Sequence, residues 1–447
     1  MIQEMSIMRP TDNRHLLARS LASVWHPCSQ MKHYESFPLV PIASGNGVWL
    51  RDYDNRRYID AVSSWWVNLF GHCNPRINAA ITDQLGKLEH VMLAGFTHEP
   101  VVQLSERLRE LAPEGLGHCF YASDGASATE IALKMSAHYW RSSGRPDKTQ
   151  FISLENSYHG ETLGALSVTD VALFRDAYGA LIRQQSTVPS PDWRKAAAGE
   201  TAETYALRCA DSLEQHLRQH HAQLAALIVE PLVQGAAGMA MHHPVYLQRA
   251  RQLCDAYGVH LIADEIAVGM GRTGTMFACE QSKITPDFLL LSKGITGGYL
   301  PLSVVMTRDE IYQVFYADET SRGFLHSHSY TGNPLACRAA LATLDIFVQD
   351  DVLTANRAKA MYLNQIATPL RDHHAVRNWR NTGMIWAFEA VSPHRDFAQR
   401  CFALALQNEL LLRPIGNTVY FIPPYVISNE EMDLLVNGTL HIINQLS

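Results

Sequence analysis

The segment from Val259 to Gly298 constrains the fold more than any other part of the chain. It holds two short, nearly unbroken apolar runs. The first, 259–263, runs into Asp264 and Glu265; the second, Phe288–Leu291, runs into Ser292 and Lys293 and then into Gly294, Gly297 and Gly298. Apolar runs this short, bounded by turn signals, read as buried strands of a parallel sheet. In open α/β sheets the ligand sits beyond the carboxyl ends of the strands. Both Asp264 and Lys293 stand at such ends.

An acid and a lysine converging on one cleft suit pyridoxal phosphate chemistry. The lysine amine joins the cofactor aldehyde covalently, and the carboxylate pairs with the pyridinium nitrogen and keeps the ring an electron sink. The same two residues also suit a solvated acid and a surface lysine that merely cap two strands. The rest of the chain bears on that choice.

With 447 residues there is room for one large and one smaller domain. The formal charge of −7, without any basic block, argues against nucleic acid as a partner. No apolar stretch approaches membrane-spanning length, and MIQEMSIMRPTDNRH carries no apolar run of signal-peptide size. Eight scattered cysteines without a C-x-x-C favour reduced thiols in a cytoplasm over a disulfide or zinc framework, and no metal site is expected.

In chain order, Val48 to Ile59 reads as a hairpin around Asp52, Asp54 and Asn55. SSWW follows at Ser63 to Trp66. Side chains alternate along a strand, so two adjacent tryptophans cannot share one strand face. One packs in the core and the other lines a pocket, or both are packing residues. Two helices are predicted within 76–112, then a strand over 118–122 that turns through SDGAS into a helix over 123–140. A strand, a Gly-containing turn and a helix N-terminus make an anion site, with the backbone N–H groups of Gly125 and Ala126, beside Asp124, offered to a phosphate. The strand Gln150–Leu154 ends in ENSYHGET, where Tyr158 either lies over a flat ring or belongs to a hydrogen-bonded Tyr–His turn. A helix over 203–221 and a strand over 226–229 lead to Glu230, a second acidic strand end on the edge that carries Asp264. After a strand over 302–306, the polar segment 323–337 opens a helix near Asn333 and Pro334. Residues 338–447 alternate helices with short strands at 384–388 and 419–422.

The run LIADEIAVGMGRTG, with the lysine of LLLSKGITGG, resembles the class III aminotransferases, fold-type I pyridoxal phosphate enzymes, over nearly the whole chain. The resemblance implies an α/β fold: a large domain at 63–330 with a mostly parallel sheet, and a smaller α/β domain built from residues 1–62 and 331–447. It implies pyridoxal 5'-phosphate as cofactor, Lys293 as the cofactor lysine, Asp264 as pyridinium partner and Tyr158 stacked on the ring. Within the class, SSWW, THEP, EPLVQGAAGM and LLLRPIGNTVYFIPPY are similar to the biotin-biosynthesis branch, which moves an amino group, usually from S-adenosylmethionine, to 8-amino-7-oxononanoate. On that match Trp65 lines the substrate pocket, Arg413 clamps the substrate carboxylate through its bidentate fork, and Arg272 and Tyr425 lie near the site. The site is shared in a homodimer: the segment HSHSYTGNP supplies His328 and Ser329 to the phosphate, and Ser327 to the substrate. Two departures stand out. Cys28 occupies a position where the pattern has a tyrosine, leaving Tyr34 or another group to compensate, and HSHSYTGNP looks more like relatives that use lysine as donor. The donor is therefore open between S-adenosylmethionine and lysine. Transaminases of ω-amines or ornithine, and a non-catalytic cofactor-binding protein, are the rival readings.

Overall fold

Seven strands form the central sheet, in the spatial order Leu116–Ala122, Ser303–Arg308, Phe288–Leu291, His260–Asp264, Leu224–Val229, Gln150–Leu154 and Ser186–Val188. All run parallel except Ser303–Arg308, which is antiparallel to both neighbours. The computed structural model describes residues 12–37 and 39–447. Positions 1–11 of the expected N-terminal segment, and Pro38, lie outside the described residues.

The inner strands are apolar without alternation because helices cover both faces of the sheet. Leu224–Val229, His260–Asp264 and Phe288–Leu291 are buried at every position. Asp264 lies opposite Leu290 in the parallel ladder, so the turn into Lys293 begins just past it on the same edge. The helix Gly125–Ser142 packs on the sheet through Ala128, Ile131, Ala132 and Met135. Asp124 caps it: Oδ1 accepts the N–H of Ser127 at 2.9 Å and Oδ2 the Ser127 hydroxyl at 2.9 Å.

Both ends of the described chain build the flanking body. The expected hairpin forms as the antiparallel pair Trp49–Asp52 and Arg57–Asp60. Leu410–Leu411 then joins Arg57–Asp60 in parallel, with Ile59 opposite Leu410 and Asp60 opposite Leu411. A three-stranded antiparallel sheet, Val376–Thr382, Ile385–Ala390 and Thr418–Phe421, completes this body. The helix Pro334–Gln349 packs on Pro75–Leu85, on Glu99–Leu111 and on the turn Lys293–Thr296, all parts of the central body. Its burial is nearly continuous, as a helix between two layers requires. Among the described residues no helix is long and apolar enough to cross a membrane.

The SSWW segment is not a strand. Ser63–Trp66 is a single turn with left-handed φ at all four residues: 49° at Ser63, 46° at Ser64, 72° at Trp65 and 73° at Trp66. Left-handed backbone costs a non-glycine residue about 1–2 kcal/mol and normally occurs at isolated positions. The turn nevertheless parts the tryptophans as expected: Trp66 is 7% exposed and Trp65 43%.

Candidate active site

At the carboxyl edge of the sheet a cavity of about 290 Å³ brings together Asp124, Gly125, Ala126, Tyr158, Asp264 and Lys293. Lys293 opens the turn Lys293–Thr296 with a left-handed φ of 43°. Its Nζ lies 5.0 Å over the Trp66 ring. Burial pulls the Lys293 pKa below the usual lysine range, while Asp264 and Glu230 oppose that fall.

The Asp264 carboxyl is held from two sides. Oδ1 accepts the Ile266 N–H at 3.1 Å, and Oδ2 lies 2.7 Å from Nδ1 of the buried His159. Glu230, on the neighbouring strand end, spends both oxygens on backbone: Oε2 accepts the N–H of Tyr158 at 3.0 Å and Oε1 that of Gly235 at 2.9 Å. Burial pushes Glu230 up to about 7, with the nearby Asp264 adding to the rise and His159 opposing it. The Tyr158 hydroxyl donates to Glu161 Oε1 at 2.8 Å, and its ring meets Phe174 edge-on at 5.3 Å. Burial, reinforced by Glu161, raises the Tyr158 pKa.

The floor fits a flat phosphorylated cofactor. The first N–H groups of the helix Gly125–Ser142 have no helical carbonyl to bond, which makes the turn an anion cradle. The approach is tight. A Cβ on Gly160 would fall 2.5 Å from the Ala126 Cβ, and one on Gly125 would fall 2.9 Å from Ile266 Cγ2. Behind the cradle, Asp264 supplies the acid that a pyridine nitrogen requires.

The other face of the Ser63–Trp66 turn borders a second cavity, of about 560 Å³, lined by Trp65, Arg413, Tyr34, Phe402, Leu406 and Tyr420 among others. The Arg413 guanidinium rests 4.4 Å over the Trp65 ring. Among the described residues it has no carboxylate partner, and it is exposed at the rim of an apolar space. Tyr34 thus stands in this cavity, while Cys28 is exposed.

Arg272 and Tyr425, expected near the substrate, border neither of these two cavities. Arg272 is buried, and its guanidinium donates to the backbone carbonyls of Pro423 at 2.9 Å, Asn68 at 3.0 Å and Trp66 at 3.4 Å. The Tyr425 hydroxyl donates to the Met270 carbonyl at 2.8 Å, with the Arg272 guanidinium 4.9 Å from the Tyr425 ring. The two terminal nitrogens of the guanidinium are taken by these three carbonyls, and its buried Nε has no partner among the described residues. Ser327, His328 and Ser329 do not border the Lys293 cavity of their own chain; both serines are exposed, and His328 Nε2 lies 3.3 Å from His326 Nε2. Sequence reasoning passed over His159 and Trp66 as site residues. The signal for His159 was its place in the Tyr–His–Gly turn facing an acidic strand end.

Residues 30–443 match the aminotransferase class-III family. The chain belongs to the class III aminotransferases. This aminotransferase is 45% identical to the adenosylmethionine-8-amino-7-oxononanoate aminotransferase of Helicobacter pylori, covering 97% of this chain and 98% of that one. Its fold matches the crystal structure of the enzyme of the same name from Methanocaldococcus jannaschii with a TM-score of 0.92 at 33% identity, covering 98% and 100% of the two chains. It also matches an amine transaminase from an uncultivated Pseudomonas species, solved with pyridoxal phosphate bound, with a TM-score of 0.88 at 31% identity, covering 95% and 99%. The aminotransferase is accordingly a pyridoxal-phosphate-dependent enzyme of fold-type I architecture.

Proposed function

We propose that this aminotransferase acts in biotin biosynthesis, transferring an amino group to 8-amino-7-oxononanoate, with S-adenosylmethionine as donor. The observation that carries this reading is Arg413: a cation without an acidic partner among the described residues, resting on Trp65 at the rim of an apolar cavity across the Ser63–Trp66 turn from Lys293. A long, mostly apolar keto acid needs that pairing of apolar channel and distant cation. The names of relatives at 45% and 33% identity support the same acceptor.

Bound pyridoxal phosphate supplies an aldehyde that takes up and returns the amino group, and a ring that absorbs electrons from the breaking C–H bond. The residues of the chain do the rest. Gly125 and Ala126 would hold the phosphate, Tyr158 would cover the ring, and Asp264, steadied by His159, would keep the ring nitrogen protonated. The Lys293 amine, made less basic by burial, moves the proton to and from the substrate carbon. The apolar Trp66 face beside it excludes water. Each turnover runs as two half-reactions, donor first and keto acid second.

The same reading completes the site in a homodimer, with Ser327, His328 and Ser329 serving the site of the partner subunit. Exposed Met92, Phe96, Leu325 and Tyr330 support a covered surface near that segment. All eight cysteines are free thiols, which supports a cytoplasmic setting. Lysine as donor is the second reading, favoured by the sequence HSHSYTGNP. The deciding experiment offers S-adenosylmethionine, lysine and a simple ω-amine separately to the loaded enzyme, follows cofactor absorbance, and then adds 8-amino-7-oxononanoate. Conversion by S-adenosylmethionine and return by the keto acid support the proposal. An acceptor that fails to return the cofactor overturns it.

A further inference from the structure

The four left-handed residues of the Ser63–Trp66 turn include no glycine, so something must hold them there. Asp60 does so from the strand just before. Its side chain is fully buried. Oδ1 accepts the Ser64 N–H at 2.9 Å, Oδ2 accepts the Ser64 hydroxyl at 2.7 Å, and Oδ2 also lies 2.9 Å from His72 Nε2. A carboxylate has acceptor sites for all three contacts, whereas an amide offers a single oxygen. The far end of the turn is gripped by Arg272 at Trp66 and Asn68, and the Ser63 hydroxyl donates to the Ile422 carbonyl at 2.6 Å.

This turn carries Trp65 under Arg413, while Trp66, beside Lys293, is held separately: Arg272 donates to its carbonyl and its indole N–H donates to the Tyr420 hydroxyl at 3.4 Å. The strand ending at Asp60 also fixes the other half of the Trp65–Arg413 contact. Asp60 lies opposite Leu411, two residues before Arg413. One carboxyl therefore stands at the junction of the strand that leads to Arg413 and the turn that carries Trp65.

We propose that Asp60 is a positioning residue for the acceptor, holding the left-handed Ser63–Trp66 turn so that Trp65 seats the Arg413 guanidinium where a substrate carboxylate meets it. This rests on the reading of Arg413 and Trp65 as the acceptor wall. Asp60 touches neither reacting atoms nor cofactor; it acts through Ser64. Ser64 keeps its N–H on Asp60 in any variant, so the side-chain bond can be removed separately.

The test compares KM and kcat of the loaded enzyme in the two half-reactions for Asp60→Asn, Ser64→Ala and Arg413→Ala. In Asp60→Asn the KM for 8-amino-7-oxononanoate rises about tenfold, while the donor half-reaction stays within about twofold. Ser64→Ala, which retains Asp60 and its contact to His72, raises the same KM about threefold. Adding Ser64→Gly to Asp60→Asn brings the KM back toward wild type, because glycine enters the left-handed region without a steric penalty. A double variant no better than Asp60→Asn overturns the proposal, as does an equal fall in both half-reactions, the mark of a merely structural role. Should Asp60→Asn fail to fold, Ser64→Ala decides: an unchanged acceptor KM overturns the proposal. An Arg413→Ala enzyme with unchanged acceptor KM removes the underlying reading instead. A raised KM in Arg413→Ala with unchanged values in the other variants overturns the Asp60 role alone.

Discussion

The Lys293 cavity and the Arg413 cavity share the Ser63–Trp66 turn as a wall, yet they are built in opposite ways. On the Lys293 side the groups stand on parallel strand ends within the buried sheet. Asp264 and Glu230 are each fixed by two contacts to neighbouring groups, several of them backbone N–H. On the Arg413 side the lining comes from segments near both ends of the chain, the cation is exposed, and its one described contact is an aromatic face. Rigid strand ends suit chemistry that must place atoms the same way for every substrate. A strained turn, and an arginine without a carboxylate partner among the described residues, suit recognition of one acceptor. On the proposed function, the division separates the groups that serve the amino transfer from those that select the acceptor.

The contrast can be broken most sharply at Lys293. Lys293→Ala is expected to abolish multiple turnover, a loss above the roughly 10²–10⁴-fold due to proton transfer alone, while leaving the fold intact. Steady-state rates and circular dichroism check both halves, and wild-type-like turnover would remove Lys293 from its role. Next comes Asp264→Asn. A neutral amide cannot hold a ring nitrogen protonated, so kcat should drop about 10²-fold with little change in melting temperature; an unchanged kcat would make Asp264 only a strand-end acid.

The effect on the other side should be smaller and confined to one substrate. Arg413→Ala is expected to lower kcat/KM for 8-amino-7-oxononanoate about ten- to a hundred-fold, the worth of a charge-assisted hydrogen bond, with the donor half-reaction less affected. Arg413→Lys should recover only part, lacking the planar fork. Equal values for wild type and Arg413→Ala would erase the contrast.

The last effect concerns pH. Burial raises the Glu230 pKa from 4.5 to about 7, so the folded chain binds a proton that the unfolded chain releases. Its stabilising contribution is complete below about pH 4.5 and is lost as pH rises toward 7. Between those limits Glu230→Gln should lose less stability than wild type, by about 3 kcal/mol, measured by denaturant unfolding of cofactor-free enzyme. Parallel pH profiles would contradict the assignment.

The same contrast decided what the sequence revealed. Gln150–Leu154 and Phe288–Leu291 form as read, because short apolar runs between turn signals have little choice but a buried parallel strand. Asp264, Glu230 and Lys293 then follow from strand-end position. The acceptor side was harder. Alternation parted Trp65 from Trp66 correctly, but for a strand that does not exist, since no glycine marks the left-handed run. The partners of Arg272, the carbonyls of Trp66, Asn68 and Pro423, were out of reach of sequence reasoning because only the tertiary fold brings them near. The packing of the helix Pro334–Gln349 on Pro75–Leu85 and Glu99–Leu111 was not legible, since periodicity reports a buried face and not the neighbour that covers it.

The short ladder between Ile59–Asp60 and Leu410–Leu411 has a consequence for how the enzyme is made. Every strand of the central sheet has been synthesised once Arg308 is added. The partner of Asp60 emerges about a hundred residues later, a delay of roughly 5–20 s at ordinary translation speeds. During that interval the nascent chain carries the complete lysine-bearing sheet, but the Ile422 and Pro423 carbonyls that brace the tryptophan turn have not yet been made. The lysine-bearing sheet is thus complete ahead of the braces on the tryptophan turn, and a ribosome that stalls between residues 308 and 410 leaves a nascent chain with the first and without the second.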